Sequence, residues 1–132
     1  MIDDHAAMRE GIRAVISAQP DMIMAGEAKD GAEGVQLFRK LKTDVTLVDW
    51  NLPIIRGDEV IASLIAEFPH ARFIVITALD DGSCVQRALD LGAQACLHKD
   101  RLRRELLPAI RAIYRGQPFA SENVLNRIRK ND

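Results

Sequence analysis

Short apolar segments alternate with amphipathic helical patterns along the chain, and this alternation restricts the possible folds more than any other feature. Residues 45–48 and 73–76 are apolar runs bounded by polar or charged residues, which is typical of strands covered on both faces. Between them, Val60, Ile61 and Leu64 recur at helical spacing. The alternation predicts an α/β fold in which a doubly wound parallel sheet carries helices on both faces.

The same patterns assign the other elements. Helices are predicted around the stripe Met8, Ile12, Val15 and Ile16 and over residues 32–42, 81–91 and 104–115, and strands over residues 22–25 and 95–97. Pro108 falls inside the last of these helices, where a proline removes a backbone amide. We therefore expect this helix to start late or to kink.

The first strand of such a sheet is usually central, but the sequence offers little material for it. Only Met1 and Ile2 precede the acidic pair Asp3 and Asp4. Two residues are too few to span a sheet. We therefore expect the first strand to be missing from this sequence.

The last residues differ in character from the rest of the chain. Residues 116–132 contain Pro118 and then a helical pattern that Ser121 is suited to cap. We expect residues 1–115 to form one domain and residues 116–132 to be a linker or tail.

Composition excludes several classes of protein. The chain has 18 Lys and Arg against 19 Asp and Glu, so a uniformly basic surface for nucleic acid is excluded. The longest strongly apolar run, residues 73–76, is far shorter than the roughly 20 residues that a membrane span needs, and no signal peptide pattern opens the sequence. We expect a cytoplasmic protein. Cys84 and Cys96 have no metal-site spacing and are interpreted as buried thiols.

Polar side chains follow the predicted strands at the points where the strands end. Asp49 follows residues 45–48, Thr77 follows residues 73–76 and Lys99 follows residues 95–97. Asp3 and Asp4 would follow the missing first strand. Ligand sites of open parallel sheets lie beyond these carboxyl ends. Each residue alone has an ordinary interpretation, as a turn, cap or solvated side chain, but their occurrence at four strand ends favours a common site.

Clustered carboxylates repel one another unless a cation or a proton is bound. Mg²⁺ prefers oxygen ligands, so a magnesium site fits Asp3, Asp4 and Asp49 better than a zinc site does. Lys99 offers a positive charge and Thr77 a hydroxyl to an anion. The set predicts phosphoryl transfer to the Asp49 carboxylate. His5 is interpreted as a residue at the start of a helix with no role in the site.

These residues resemble the receiver domain of two-component response regulators. The resemblance rests on Asp3-Asp4, on the run DWNLPIIRG at residues 49–57, on Thr77-Ala78 and on the run HKD at residues 98–100, and it covers residues 2–115. The runs GEAKDGAEG, LGAQACLHKD and AIRAIYRGQPFAS are similar to receivers joined to a LuxR-type DNA-binding domain.

The resemblance implies a role for each matching position. Asp49 would accept a phosphoryl group from a histidine kinase or phosphotransfer protein. Asp4, Asp49 and the backbone carbonyl of Asn51 would bind Mg²⁺, with Asp3 acting through water. Thr77 would move towards the phosphoryl group, and Lys99 would pair with it.

The resemblance also implies an architecture and partners. The fold would be flavodoxin-like, with five parallel strands in the order 2-1-3-4-5. Phosphorylation would favour a homodimer, and DNA would be bound only through an output domain that this sequence does not contain. The chain would be a regulatory domain, not an enzyme, with at most slow self-dephosphorylation.

Two features leave alternatives open. Cys96 stands where receivers of this family have an aromatic switch residue, which favours a receiver-like interaction module that works without phosphorylation. A phosphohydrolase with an aspartyl intermediate is disfavoured, because Asn51 occupies the position where such enzymes usually carry a second acid.

Overall fold

Three parallel strands and five α-helices make up the part of the chain that the computed structural model describes, residues 1–78 and 82–120. In chain order the elements are α1 (Ala6–Ser17), α2 (Gly31–Leu41), β1 (Thr46–Asp49), α3 (Gly57–Glu67), β2 (Phe73–Thr77), α4 (Gly82–Leu91), β3 (Ala95–His98), a 3-10 turn (Lys99–Arg101) and α5 (Leu102–Tyr114). None of these helices is long and apolar enough to cross a membrane.

The strands pair in the order β1-β2-β3. Asp49 at the end of β1 is the register partner of Ile76, and Thr77 at the end of β2 is the partner of His98. Every position of β1 and β2 is buried. The predicted parallel sheet is therefore present, and its carboxyl ends lie at one edge.

Two apolar clusters cover the two faces of the sheet. Phe73 and Val75 of β2 belong to one cluster, together with residues of α2, α3 and α4. Ile74 and Ile76 belong to the other, together with residues of α1 and α5. This alternation along β2 confirms the prediction of helices on both faces.

Ile2 joins the sheet as a single residue. It forms parallel bridges to Ala28 on one side and to Val48 on the other. The Ile2 amide donates to the Leu47 carbonyl (2.8 Å), and the Asp49 amide donates to the Ile2 carbonyl (2.9 Å). The N-terminal residues thus lie beside β1, although they form no strand.

The prediction of a strand over residues 22–25 is wrong. These residues form no strand, because the neighbouring N-terminal segment contacts the chain only from Gly26 onwards: Ile2 bridges Ala28, and the Met1 amino group donates to the Gly26 carbonyl oxygen (3.0 Å). It offers residues 22–25 no paired backbone within the described residues. They line a cavity of about 620 Å³ together with Leu47 of β1 and Ile110 of α5. Ile23 at this cavity is 89% exposed.

Most predicted helices and strands are confirmed, with boundaries that differ by a few residues. Val15 is the exception in the first helical stripe: it is 43% exposed, whereas Ile12 and Ile16 are buried. Of the two outcomes expected for the last helix, the late start is wrong, because α5 begins at Leu102 directly after the 3-10 turn and Pro108 lies inside it. The kink stays a prediction. The predicted cap at Ser121 lies outside the described residues.

Candidate functional site

Asp49 is positioned by the sheet itself. It is the last residue of β1, and only 1% of its surface is exposed. The backbone bond from Asp49 to Ile2 brings the following residue, Asp3, to the same edge, where Asp3 is buried to the same degree. Two carboxylates from distant parts of the sequence therefore meet at the carboxyl end of the sheet.

Asp4 and His5 complete an acidic cluster with Asp3 and Asp49, and one potential metal-ligating atom of each lies within 4.8 Å of the others. The His5 Nδ1 atom lies 3.2 Å from Asp3 Oδ1, 3.1 Å from Asp4 Oδ1 and 3.7 Å from Asp49 Oδ2. His5 does precede α1, as expected, but it also lies in the site. Its backbone amide donates to Asp3 Oδ1 (2.8 Å), a local contact that holds the ring beside the acids.

Lys99 provides a positive charge to this cluster. Its Nζ atom lies 3.6 Å from Asp49 Oδ2. Burial raises the pKa of the Asp49 carboxyl, and the nearby charges of Asp3 and Asp4 act in the same direction. The Asn51 backbone amide, which donates to Asp49 Oδ1 (3.1 Å), and the Lys99 ammonium act in the opposite direction.

Two buried oxygens fit a cation at this cluster. Asp3 Oδ2 and Asp49 Oδ2 are buried and accept no hydrogen bond from the described residues. Buried acceptors of this kind are costly unless a cation or water satisfies them. Three carboxylates form a mainly oxygen donor set, which suits Mg²⁺ better than Zn²⁺. The residues present therefore fit a magnesium ion.

Thr77 lies at the same edge of the sheet. It follows Ile76, the register partner of Asp49, and its side chain is buried. Cys84 of α4 donates from Sγ to the Thr77 hydroxyl oxygen over 3.7 Å. On the neighbouring strand, the His98 ring Nε2 lies 3.1 Å from the Ala78 carbonyl oxygen. The structure thus brings Asp3, Asp4, Asp49 and Lys99 together and places Thr77 at the end of the adjacent strand.

Two supporting residues escaped the sequence reasoning. Arg9 of α1 donates to the Asp3 carbonyl oxygen (2.7 Å) and so ties α1 to the acidic cluster. A Cβ atom at Gly57 would lie 2.5 Å from the Asp49 carbonyl oxygen and 2.9 Å from the Trp50 Cα, so no larger residue fits behind the strand end. Gly57 stood within the motif at residues 49–57, whereas Arg9 had no distinguishing signal.

The arrangement at this edge is that of a known class of protein. The family model described as the response regulator receiver domain matches residues 1–111. The chain belongs to this family, and receivers of LuxR-family transcriptional regulators are among its relatives.

Individual comparisons agree with this assignment. The chain is 38% identical over 117 residues to the uncharacterized transcriptional regulatory protein YxjL of Bacillus subtilis, covering 89% of this chain and 54% of the relative. It is 34% identical over 132 residues to the nitrate/nitrite response regulator protein NarP of Escherichia coli, covering 100% of this chain and 61% of the relative. The chain thus spans little more than half the length of these relatives.

A solved structure is similar over nearly the whole chain. The two-component response regulator of the LuxR family from Aurantimonas sp. SI85-9A1 superposes with a TM-score of 0.92 at 28% identity, covering 98% of this chain and 93% of that one. This likeness supports the flavodoxin-like α/β architecture of receivers.

Proposed function

We propose that this chain is a phosphorylation-dependent signalling switch that accepts a phosphoryl group on Asp49. One observation carries the proposal: the Asp49 carboxylate is buried at the strand end, and its Oδ2 atom accepts no hydrogen bond from the described residues, although it faces Lys99 and the acidic cluster. An oxygen in this state is available as a nucleophile.

The chemistry needs one bond to form and one to break. Asp49 Oδ2 forms a bond to phosphorus, and the bond from phosphorus to the donor nitrogen or oxygen breaks with its electron pair staying on the donor. Lys99 would stabilise the negative charge of the transferred oxygens, and Thr77 would donate a hydrogen bond to one of them. Mg²⁺, held by Asp3, Asp4, Asp49 and the Asn51 carbonyl, would neutralise further charge.

The same site would give little turnover. A hydrolase of this type usually has a second acid two residues past the nucleophile, and Asn51 occupies that position with an exposed, non-ionisable side chain. Water attack on the phosphorylated Asp49 would therefore lack a general base from residue 51. Slow self-dephosphorylation suits a switch, because the signal must outlast a single encounter.

The relatives suggest what the switch controls. YxjL is named a transcriptional regulatory protein and NarP a response regulator, and both are longer than this chain. We propose that residues 1–115 form the receiver and residues 116–132 the linker, and that DNA is bound through an output domain outside this chain. A histidine kinase or phosphotransfer protein in the cytoplasm would supply the phosphoryl group, and phosphorylation would favour a homodimer.

The strand order 2-1-3-4-5 is proposed for the complete sheet. Its support is the position of Ile2 between Ala28 and Val48, together with the cavity between residues 22–25 and Leu47. A backbone strand preceding Ile2 would lie between those two segments. Four apolar residues added before Met1 are expected to raise the melting temperature, whereas four glycine and serine residues are not.

A second function has one observation in its favour. Cys96 is buried on β3, where the receiver family has an aromatic switch residue. Because a thiol is small, the usual rotation of an aromatic ring has no counterpart at this position. A receiver-like interaction module that works without phosphate is therefore the alternative.

One experiment separates the two functions. The protein is incubated with Mg²⁺ and acetyl phosphate, and intact mass and Trp50 fluorescence are followed beside an Asp49→Asn variant and an Asp100→Asn control at an exposed aspartate. The switch predicts a gain of one phosphoryl group in the wild type and the control, but not in Asp49→Asn. No gain with any donor would leave the interaction module, and rapid repeated release of phosphate would indicate a hydrolase.

A further inference from the structure

Cys84 makes a contact that neither the phosphoryl chemistry nor the magnesium site explains. It lies on α4, its side chain is buried, and its Sγ atom donates to the Thr77 hydroxyl oxygen over 3.7 Å. Thr77 lies at the strand end beside Asp49, whereas Cys84 belongs to a helix packed on the face of the sheet. The contact therefore joins the site to a helix.

We propose that Cys84 is a positioning residue for phosphoryl transfer, which acts by holding the Thr77 hydroxyl through its thiol. The inference rests on the proposed function, because only a phosphorylated Asp49 would offer the Thr77 hydroxyl a phosphoryl oxygen as its hydrogen-bond partner.

The physical basis is that a hydroxyl group can accept a hydrogen bond and donate another one at the same time. A threonine hydroxyl has two acceptor lone pairs and one proton to donate. A thiol that donates to Thr77 Oγ1 occupies a lone pair and restricts rotation of the side chain, and it does not use the hydroxyl proton. The thiol thus favours orientations in which Thr77 donates its proton to another acceptor. A side chain ordered before transfer loses less entropy when the phosphoryl oxygen arrives.

The surroundings of Cys84 support this role. Cys84 and Cys96 belong to the same apolar cluster. Burial raises the pKa of the Cys96 thiol to about 12, and Cys84 acts in the same direction. Cys96 thus stays a neutral thiol at physiological pH and behaves as a small apolar side chain. Cys84 is itself a residue of α4, so its contact with the Thr77 hydroxyl links the site to α4 without an aromatic ring on β3.

The test compares two substitutions at one position. Cys84→Val keeps an apolar side chain of similar size but removes the donor, whereas Cys84→Ser keeps a donor. Phosphorylation by acetyl phosphate with Mg²⁺ is measured by intact mass, and the loss of the phosphoryl group is followed after removal of the donor. We expect Cys84→Val to slow phosphorylation about threefold, since a single weak hydrogen bond is lost, and Cys84→Ser to stay within about twofold of the wild type.

The Thr77→Ala background distinguishes the proposed role of Cys84 from a merely structural one. There the hydroxyl is already absent, so Cys84→Val is expected to slow phosphorylation no further. Cys96→Val is the matched control, because it makes the same change at the other cysteine of the cluster and is expected to leave the rate unchanged.

Three results would overturn the proposal: no effect of Cys84→Val, an equal effect of Cys84→Val in the Thr77→Ala background, or an equal effect of Cys96→Val. Each of these leaves phosphorylation of Asp49 intact and so refutes the role of Cys84 alone. If the wild type accepts no phosphoryl group at all, the proposed function and the role of Cys84 fail together.

Discussion

Within the described residues, the carboxyl end of the sheet is closely packed, whereas the amino end is open. At the carboxyl end, the buried acids Asp3 and Asp49 lie in one cluster with ligating atoms within 4.8 Å of each other, and Lys99 Nζ lies 3.6 Å from Asp49 Oδ2. At the amino end, a cavity of about 620 Å³ opens beside Leu47, and Ile23 is 89% exposed. The difference shows that one bridging residue suffices to place a charged side chain, whereas covering an apolar sheet surface takes a whole strand.

Ile2 is the residue on which this comparison depends most. It is buried, bridges Ala28 and Val48, and packs so closely on Gly34 that a Cβ atom there would lie 2.6 Å from Ile2 Cδ1. We expect Ile2→Ala to lower the free energy of unfolding by about 3 kcal/mol, since it opens a cavity in the core. Urea unfolding measures the change.

The matched control for Ile2 lies at the other end of the sheet. Ile23→Ala makes the same substitution at an exposed position and is expected to change the free energy of unfolding by less than about 0.5 kcal/mol. Similar losses at the two positions would show that the amino end is packed as tightly as the carboxyl end, and the comparison would fail.

Gly57 tests how closely the backbone behind Asp49 is packed. A Cβ atom there would meet the Asp49 carbonyl oxygen at 2.5 Å, so Gly57→Ala must displace the strand end. We expect a loss of about 2 kcal/mol in the free energy of unfolding. Thermal or urea unfolding checks the value, and phosphorylation should also slow because Asp49 moves.

Gly11 of α1 provides the control for Gly57. Apart from its chain neighbours and the backbone of its own helix, no atom of the described residues lies within 4 Å of a Cβ atom built there. Alanine is the better helix former, so Gly11→Ala is expected to stabilise the domain by about 0.5–1 kcal/mol. A gain from both substitutions would mean that the space behind Asp49 is open.

Asp49 itself is expected to reduce the stability of the unphosphorylated domain. Burial and the neighbouring acids raise the pKa of its carboxyl, so the ionised form is disfavoured in the folded state. We expect Asp49→Asn to raise the free energy of unfolding at neutral pH by about 1 kcal/mol in the absence of Mg²⁺. Mg²⁺ should then stabilise the wild type more than the variant. A variant less stable than the wild type without Mg²⁺ would contradict this account of the acidic cluster.

The smallest effect is expected at the amino end, from a surface ion pair. Arg111 donates to Asp21 from Nε over 3.2 Å, and this hydrogen bond lowers the pKa of the Asp21 carboxyl. A carboxyl with a lowered pKa contributes stability above its ordinary pKa and loses that contribution as the pH falls through the lowered value.

Asp21→Asn should therefore lower the melting temperature slightly at neutral pH and have no effect in strong acid. Asp44→Asn, at an exposed position on the same cavity, is the control and should leave the melting temperature unchanged. An equal effect of Asp21→Asn at both pH values would show that charge pairing is not its cause.

The elements and site residues that the sequence predicts correctly belong to repeating patterns or to complete motifs. The apolar runs at residues 45–48, 73–76 and 95–97 predicted β1, β2 and β3, and the polar residues after them predicted that Asp49, Thr77 and Lys99 would lie at one edge of the sheet. These inferences hold because strand ends of a parallel sheet share one edge whatever the details of packing.

The wrong predictions concern residues whose structure depends on segments that are distant in the sequence. Residues 22–25 have a pattern suited to a strand, but a strand exists only when another backbone pairs with it. His5 was assigned no role, because its proximity to Asp49 arises only through the bridge at Ile2. The contact between Cys84 and Thr77 likewise depends on how α4 packs on the sheet, which periodicity alone does not specify.

The central claim is that Asp49 is the residue that accepts the phosphoryl group. Borohydride reduces an aspartyl phosphate to homoserine with release of phosphate, so the modified position can be identified by peptide mapping after incubation with Mg²⁺ and acetyl phosphate. The account predicts homoserine at position 49 and none at positions 3 or 4. Homoserine at Asp3 or Asp4, or at none of the three positions, would contradict it.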